Sequence, residues 1–320
     1  MLFTCITSRS EYPHPSTRRT GPLPDGPARP TISPLHEMDE TNQFSDRTSI
    51  RRVVLPLPSS VMNLDVLRAA AQLAGQLRAE ILGLFLRDET LLRGAAVPFS
   101  QEVRRLPATL TERTPKDIER QMQAQIRRVE ALLVQRSREM GVRGRLQVVT
   151  GTAVETVRGT AETGDLIVLP PSARPSQPTD ALLETLVRKG THPLLVVPPR
   201  PSALQGLTVV VSPTPEGERS LQVAGHVARR LGRIPITLLA LIDGQASKKE
   251  TAQQERELAD TYGLAVTTRP LAAFTLPALA EALQRVPHNL LVVPSGLLHP
   301  DLESRLHILR ALPSPFLITP

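Results

Sequence analysis

The sequence repeats one order of apolar runs, and this repetition limits the fold more than any other feature. An apolar run, a helical segment and a second apolar run occur near 51–86 and again near 207–242. Each copy then closes with two short apolar runs bounded by proline, at 165–170 and 193–198 in the first copy and at 289–294 and 315–320 in the second. A duplication of this length predicts two similar α/β domains in one chain.

The length leaves room for one further segment beside the two domains. The chain has 320 residues, and its first 49 are rich in proline, serine and threonine without any apolar period. Residues 1–49 are therefore predicted to be a disordered tail, followed by domains at 50–200 and 201–320. A short segment leads from Met38 into the first predicted strand. Met38 and Met1 therefore both remain possible starts of the protein.

Composition argues against several classes of protein. No apolar stretch reaches the ~18 residues of a membrane-spanning helix, and Cys5 is the only cysteine. We therefore expect a soluble, cytoplasmic protein without membrane insertion, a disulfide framework or a thiolate metal site. The net charge of +7 comes mostly from single arginines interleaved with glutamates, which is typical of solvated helix faces. Because the chain has no Trp and two Tyr, no nucleic-acid partner is predicted.

Strands and helices are predicted to alternate through both halves. Strands are expected near 51–57, 81–86, 145–150, 166–169, 194–197, 207–211, 236–242, 264–269, 290–293 and 315–319. A helix is expected to follow a cap at Ser59 or Ser60, with an apolar stripe from Leu64 to Leu77. Further helices are expected near 116–140, 152–162, 180–189, 217–232, 247–262, 275–285 and 301–311. This alternation predicts a parallel sheet with right-handed crossovers and helices on both faces. Segment 88–115 has a weak pattern and no counterpart of similar length, so we interpret it as an insertion and as a surface for a protein partner.

The helix predicted near 116–140 carries one apolar stripe. The stripe consists of Ile118, Met122, Ile126, Val129 and Leu133. It spans too few heptads for a coiled-coil seam, so it is predicted to pack into the core.

The closing runs of both halves resemble the universal stress protein family. They read DLIVLP at 165–170 and HPLLVVP at 192–198, and NLLVVP at 289–294 and SPFLITP at 314–320. The resemblance covers residues 50–320 as a tandem pair. It implies two doubly wound, Rossmann-like sheets of five parallel strands each, in the order 3-2-1-4-5, of the adenine-nucleotide alpha-hydrolase type. It also implies that the fifth strands of the halves pair, which would make the chain an intramolecular pseudo-dimer that could pair further as a homodimer.

The nucleotide site implied by this resemblance is degenerate in both halves. ATP-binding members place an Asp after the first strand and a Gly-x2-Gly-x9-Gly-Ser/Thr loop after the fourth. The corresponding segments here read PLPSS at 56–60, SPTPE at 212–216, PPSARPSQP at 170–178 and PSGLLHP at 294–300. Proline has no N–H to donate to phosphate, so no cofactor is expected, with ATP as the alternative. A non-standard pocket would use Ser59, Ser60, Ser172 and Arg174, which we otherwise interpret as helix caps and a loop charge.

Other catalytic chemistry is not predicted. His299 and His307 flank Asp301 and Glu303, but Pro300 interrupts the spacing, so no metal site is predicted. No nucleophile elbow is found, and no catalytic residues are expected. The favoured function is a non-catalytic, tandem universal stress protein with an interaction role. The alternatives are an ATP- or AMP-binding regulatory protein with weak or no ATPase activity, and a soluble regulatory module for a transporter.

Overall fold

The computed structural model describes residues 50–58, 64–87, 115–171, 178–198, 204–241, 245–286 and 289–320. We call the described residues up to 198 the first half and those from 204 the second half. The predicted tail at 1–49 lies outside the described residues, as does the predicted insertion at 88–115 apart from Pro115, which begins a helix.

Both halves alternate strand and helix, as the sequence predicts. The first half contains β1 (Arg52–Pro58), α1 (Leu64–Leu77), β2 (Glu80–Arg87), α2 (Pro115–Glu139), β3 (Gly144–Thr150), α3 (Ala153–Thr160), β4 (Asp165–Leu169), α4 (Pro178–Lys189) and β5 (Leu194–Val196). The second contains β6 (Gly206–Val211), α5 (Pro215–Arg230), β7 (Ile236–Leu241), α6 (Gln245–Tyr262), β8 (Val266–Leu271), α7 (Leu276–Gln284), β9 (Asn289–Pro294), α8 (Leu302–Ala311) and β10 (Phe316–Thr319). The α/β fold class is confirmed.

One strand lies at a different position from the predicted one. Strand β8 was expected at 264–269, but it runs from Val266 to Leu271 and includes Pro270. Leu264 precedes the strand in the sequence and is buried. Its apolar side chain therefore packs in the core although the residue is not part of β8. A proline fits this position because β8 lies at the edge of the sheet, where one row of N–H groups needs no partner strand.

The ten strands form one continuous sheet in the order β3-β2-β1-β4-β5-β10-β9-β6-β7-β8. Each half follows the order 3-2-1-4-5 in its own numbering, and the strands within each half are parallel. At the centre β5 and β10 are antiparallel, with Leu195 opposite Leu317. The predicted contact between the fifth strands therefore merges what we expected as two sheets into one. It also turns the carboxyl ends of the two halves toward opposite edges of the sheet.

Helices cover both faces of this sheet. Helices α1, α2, α5 and α6 contribute to the core on the first face, and α3, α4, α7 and α8 contribute to the core on the second. The apolar stripe of α2 lies in the first core, where Val129 and Leu133 are fully buried. The core prediction for this stripe is thus confirmed at Met122, Ile126, Val129 and Leu133, while the side chain of Ile118 lies outside the described residues.

A buried ion pair joins the starts of β1 and β4. Arg52 and Asp165 stand opposite each other in the strand register. Arg52 Nε donates to Asp165 Oδ1 at 2.8 Å, and Arg52 Nη2 donates to Oδ2 at 2.6 Å. The Asp165 carboxylate also accepts the backbone N–H of Glu162 at 2.7 Å. This bidentate pair fixes two neighbouring strands at the same level.

Polar contacts also join the two halves beyond the β5–β10 strand pair. On the second face, Arg310 Nη2 of α8 lies 2.8 Å from Asp180 Oδ1 of α4, and both side chains are largely buried. On the first face, Arg230 Nη1 of α5 donates to the carbonyl of Leu77 at the end of α1, at 3.4 Å. Both faces of the central junction are therefore linked by arginines of the second half. Among the helices that the structure describes, none is long and apolar enough to cross a membrane.

Candidate functional site

Ligands of open α/β sheets bind outside the carboxyl ends of the strands, where the strand order reverses. That point lies between β1 and β4 in the first half and between β6 and β9 in the second. The first-half candidates all lie outside the described residues, so their roles stay predictions: they are Ser59, Ser60, Ser172 and Arg174. The two described residues after β4 are Pro170 and Pro171, and neither has an N–H that could donate to an anion.

The second-half turn from β6 into α5 is fully described. Thr214 is the N-cap residue of α5, and its Oγ1 accepts the N–H of Gly217 at 3.2 Å. The backbone N–H of Glu218 donates to the carbonyl of Thr214 at 3.1 Å. Ser212, which is buried, shares a hydroxyl contact with Thr214 at 3.3 Å. The turn is thus closed by its own short polar side chains.

The carboxylate of Glu216 occupies the helix end that an anionic ligand would use. Hydrogen bonds from its own backbone N–H and from the Thr214 side chain lower the pKa of Glu216, and the charges of Arg219 and His299 lower it further. Arg219 Nη2 lies 3.2 Å from Glu216 Oε1. Since Pro215 has no N–H, every N–H in the first turn, from 215 to 218, is either missing or already bonded. A phosphate would find no free backbone donor there.

The loop after β9 is held by contacts of its own. Residues Ser295–Leu297 form a 3-10 turn, and the N–H of Leu298 donates to the carbonyl of Ser295 at 2.8 Å. Arg305 of α8 donates to the carbonyl of Leu297, and its Cζ lies 5.5 Å from the centre of the Phe274 ring. The Arg305 guanidinium therefore fixes this loop instead of facing an open site.

Glycine appears in this loop once. A Cβ built on Gly296 would stand 3.6 Å from Glu216 Oε2, an ordinary van der Waals distance. The loop after β9 and the Glu216 carboxylate are therefore neighbours. A carboxylate this close repels the negative charge that a glycine-rich loop would bind.

The described residues form no metal-binding cluster. Among them, no group of three or more His, Cys, Asp and Glu side chains could hold a metal ion. Asp301, which flanks His299 in the sequence, has a structural role, because its Oδ1 accepts the N–H of Ser304 as the N-cap of α8 at 3.3 Å. The second-half site closes the turn into α5 and presents the Glu216 carboxylate.

Four residues of this site were not singled out in the sequence: Thr214, Glu216, Gly217 and Arg305. The segment Thr-Pro-Glu-Gly at 214–217 is a helix-start signal, with an N-cap threonine, proline at the first position and an acid in the first turn. That signal could have identified the carboxylate at the helix end. Nothing in the sequence indicates the contact of Arg305 with Leu297, because it depends on how α8 lies beside the loop.

Gly217 is expected to be intolerant of any side chain. A Cβ at this position would stand 2.0 Å from the carbonyl oxygen of Ser212, which is backbone and must shift. We expect Gly217→Ala to lower the free energy of unfolding by about 1–3 kcal/mol. The matched control is Gly159→Ala in α3, where nothing lies within 4 Å, and there alanine should stabilise the helix by up to about 1 kcal/mol. Urea denaturation measures both, and equal stabilisation by the two changes would contradict the clash.

The fold is shared with solved structures. A universal stress protein from Archaeoglobus fulgidus DSM 4304 is similar with a TM-score of 0.61 and 14% identity, over 85% of this chain and 97% of that chain. This chain has the fold of a universal stress protein. A functionally unknown protein from Pseudomonas aeruginosa PAO1 is similar with a TM-score of 0.50 and 16% identity, over 85% of this chain and 93% of that one.

A third similar structure is the cytoplasmic domain of a prokaryotic cation chloride cotransporter. Its TM-score is 0.50 and its identity 11%, over 84% of this chain and 94% of that chain. No family model and no curated protein matches the sequence. At identities this low, the likeness to universal stress proteins concerns the fold alone.

Proposed function

We propose that this chain is a non-catalytic universal stress protein of tandem type, which acts in the cytoplasm by binding a protein partner and does not bind ATP in the ordinary way. The observation that carries the proposal is the N-terminal turn of α5. Its backbone donors are taken up by Thr214 and Glu216 or removed by Pro215. These N–H groups are therefore not available to an anionic ligand at this end of α5.

The mirrored strand order supports the tandem part of the proposal. The two halves, proposed as domains at 50–200 and 201–320, have the same internal order and meet through their fifth strands. The two halves therefore pair as two separate subunits of a dimer would pair. On this proposal the chain is an intramolecular pseudo-dimer. Arg310 and Arg230 support it, because each contacts the other half.

Calorimetric titration with ATP and Mg²⁺, and separately with AMP, tests the proposal. We expect no saturable heat at ligand concentrations up to about 1 mM, which corresponds to a binding free energy weaker than about −4 kcal/mol. Micromolar affinity would reject the proposal and favour the alternative, a nucleotide-binding regulator with weak or no ATPase activity. In that case Arg174→Ala should weaken nucleotide binding. Glu216→Gln alters only the second-half site, so its effect on binding distinguishes the two halves.

A second candidate function is a regulatory module that binds a membrane transporter. It is favoured by the likeness to the cytoplasmic domain of a cation chloride cotransporter. Under this candidate, the partner cross-linked to the chain in cells would be a transporter recovered with the membrane fraction. Recovery of cross-linked partners in the soluble fraction alone would reject it.

A further inference from the structure

A basic cleft lies where β1, β2 and β3 begin, beside the last turns of α2. Small and aliphatic residues line it together with five charged ones, which are Arg52, Glu80, Arg138, Arg143 and Arg145. Its volume is about 680 Å³, and it is open to solvent. Because the three strands are parallel, the cleft lies at the opposite edge of the sheet from the carboxyl ends of the first half, where a nucleotide would bind.

Most of the positive charge in this cleft is not neutralised. Arg52 is already held in the buried ion pair described above. Arg143 Nη1 lies 3.8 Å from Glu80 Oε1, and the Arg143 side chain is 91% exposed, so this pair contributes little. The described residues offer the guanidinium groups of Arg138 and Arg145 neither a hydrogen bond nor an ion pair. Three guanidinium groups can therefore turn to an anion that enters the cleft.

The backbone sets the spacing of two of these arginines. Arg143 directly precedes β3, and its carbonyl accepts the N–H of Ile81 at 2.8 Å, so it continues the pairing of the strand. Arg145 follows two residues later within β3. Alternate residues of an extended backbone point to the same face and lie roughly 6–7 Å apart. An extended peptide has the same spacing, so carboxylates at its alternate positions match Arg143 and Arg145, while Arg138 stands on the α2 side of the cleft.

The shape and the lining of the cleft favour a peptide over other polyanions. The surface is concave, so a narrow extended chain can enter it, whereas a nucleic-acid duplex or a flat membrane would contact only its rim. A single strand of nucleic acid stacks its bases on aromatic side chains, and no lining residue of this cleft is aromatic. Carboxylates need only the guanidinium groups, which bind them through two parallel hydrogen bonds.

We propose that this cleft binds an extended acidic segment of a protein partner, with carboxylates at alternate positions on Arg143 and Arg145 and a further carboxylate on Arg138. The inference rests on the proposed function, because it assigns the surface through which the chain binds its partner. When the segment takes Arg143, the carboxylate of Glu80 loses only a weak contact and stays solvated, since its side chain is 52% exposed.

The experiment measures the fluorescence anisotropy of a fluorescein-labelled heptapeptide, with glutamate at its second, fourth and sixth positions, as the full chain is added. We expect saturable binding at about 20 mM salt, at least about tenfold tighter than that of the same peptide with glutamine at those positions. About 300 mM salt should weaken the binding by roughly tenfold, because exposed charges are screened. Equal affinity for the two peptides, or affinity independent of salt, would overturn the proposal.

A double variant locates the binding in the cleft. Arg138→Gln combined with Arg145→Gln should weaken the binding of the acidic peptide by about five- to twentyfold, since two exposed ion pairs are lost. Arg127→Gln combined with Arg158→Gln is the matched control, because it removes the same charge from exposed positions outside the cleft and should change the affinity by less than about twofold. Far-UV circular dichroism checks folding. Equal losses in the two double variants would overturn the assignment to the cleft.

Competition tests the other polyanions. A twelve-residue oligothymidylate and vesicles that contain phosphatidylserine should displace the labelled peptide less well than the unlabelled peptide does at equal concentration of negative charge. Equal or stronger displacement by either would overturn the protein class of partner. The nucleotide titration fails separately: micromolar ATP affinity that persists in the cleft variant rejects the proposed function, whereas absence of peptide binding without nucleotide binding rejects this inference alone.

Discussion

Asp165→Ala is expected to lower the free energy of unfolding by about 3–5 kcal/mol, since it removes the bidentate partner of the buried Arg52 charge. The two side chains are 3% and 10% exposed, and the pair is bidentate. Arg52 keeps a hydrogen bond to the Thr160 carbonyl at 3.1 Å and a contact with Glu162 Oε1 at 3.5 Å, which replace only part of the lost pair. The loss also frees the backbone N–H of Glu162, which donates to the same carboxylate. Few single substitutions in this chain should cost as much.

Urea denaturation followed by circular dichroism measures this loss, because the chain has no tryptophan for fluorescence. The control is Glu281→Ala, which breaks the exposed pair with Arg285 at 2.8 Å and should cost only about 0.3–0.5 kcal/mol. Replacing both Arg52 by Met and Asp165 by Leu should recover most of the stability, because an apolar pair needs no desolvation. A cost below about 1 kcal/mol for Asp165→Ala would show that water reaches the pair.

Ile318→Ala is expected to destabilise the whole sheet. Ile318 is 1% exposed, and it stands opposite Leu194 of β5 and Val293 of β9. Removal of a buried isoleucine side chain costs about 2–5 kcal/mol, because the cavity left behind adds to the lost burial. Since β10 pairs with β5 across the junction of the halves, we expect the unfolding midpoint of both halves to fall in one transition.

The control for this change is Val148→Ala in β3. Val148 is 42% exposed on a strand at the edge of the same sheet, so its truncation should change the free energy of unfolding by no more than about 0.5 kcal/mol. Thermal and urea denaturation by circular dichroism follow both variants. Two separate transitions in Ile318→Ala, with one half unaffected, would contradict the central role of β10.

The parts of the fold that depend on local sequence were predictable. Strands such as β1 and β4 read as unbroken apolar runs because both of their faces are covered, and α2 shows its buried side as a stripe at helical spacing. The position of strand β8 was predicted wrongly because Leu271 is the one buried residue among its six, which leaves a weak apolar signal. The Arg52–Asp165 pair could not be predicted, since no local pattern states which strands are neighbours or in which register.

For the site, the sequence predicts that a nucleotide loop is missing, and this stays a prediction. Prolines and missing glycines after the first and fourth strands indicate that a family nucleotide loop is lacking. The sequence did not show that the Glu216 carboxylate bonds to its own N–H and lies beside Gly296, because both contacts depend on the tertiary structure. Glu216 lies five residues after the end of β6, and its position relative to the loop after β9 is a tertiary property.

The central position of β10 has a consequence for synthesis of the chain. Strand β5 leaves the ribosome roughly 120 residues before its neighbour β10, and at 5–20 residues per second that interval lasts about 6–24 s. During this time the nascent first half presents an unpaired strand edge where the finished molecule has its centre. A chaperone that covers this edge, or a slower passage of the second half through the ribosome, would therefore change the yield of native molecules without changing their stability.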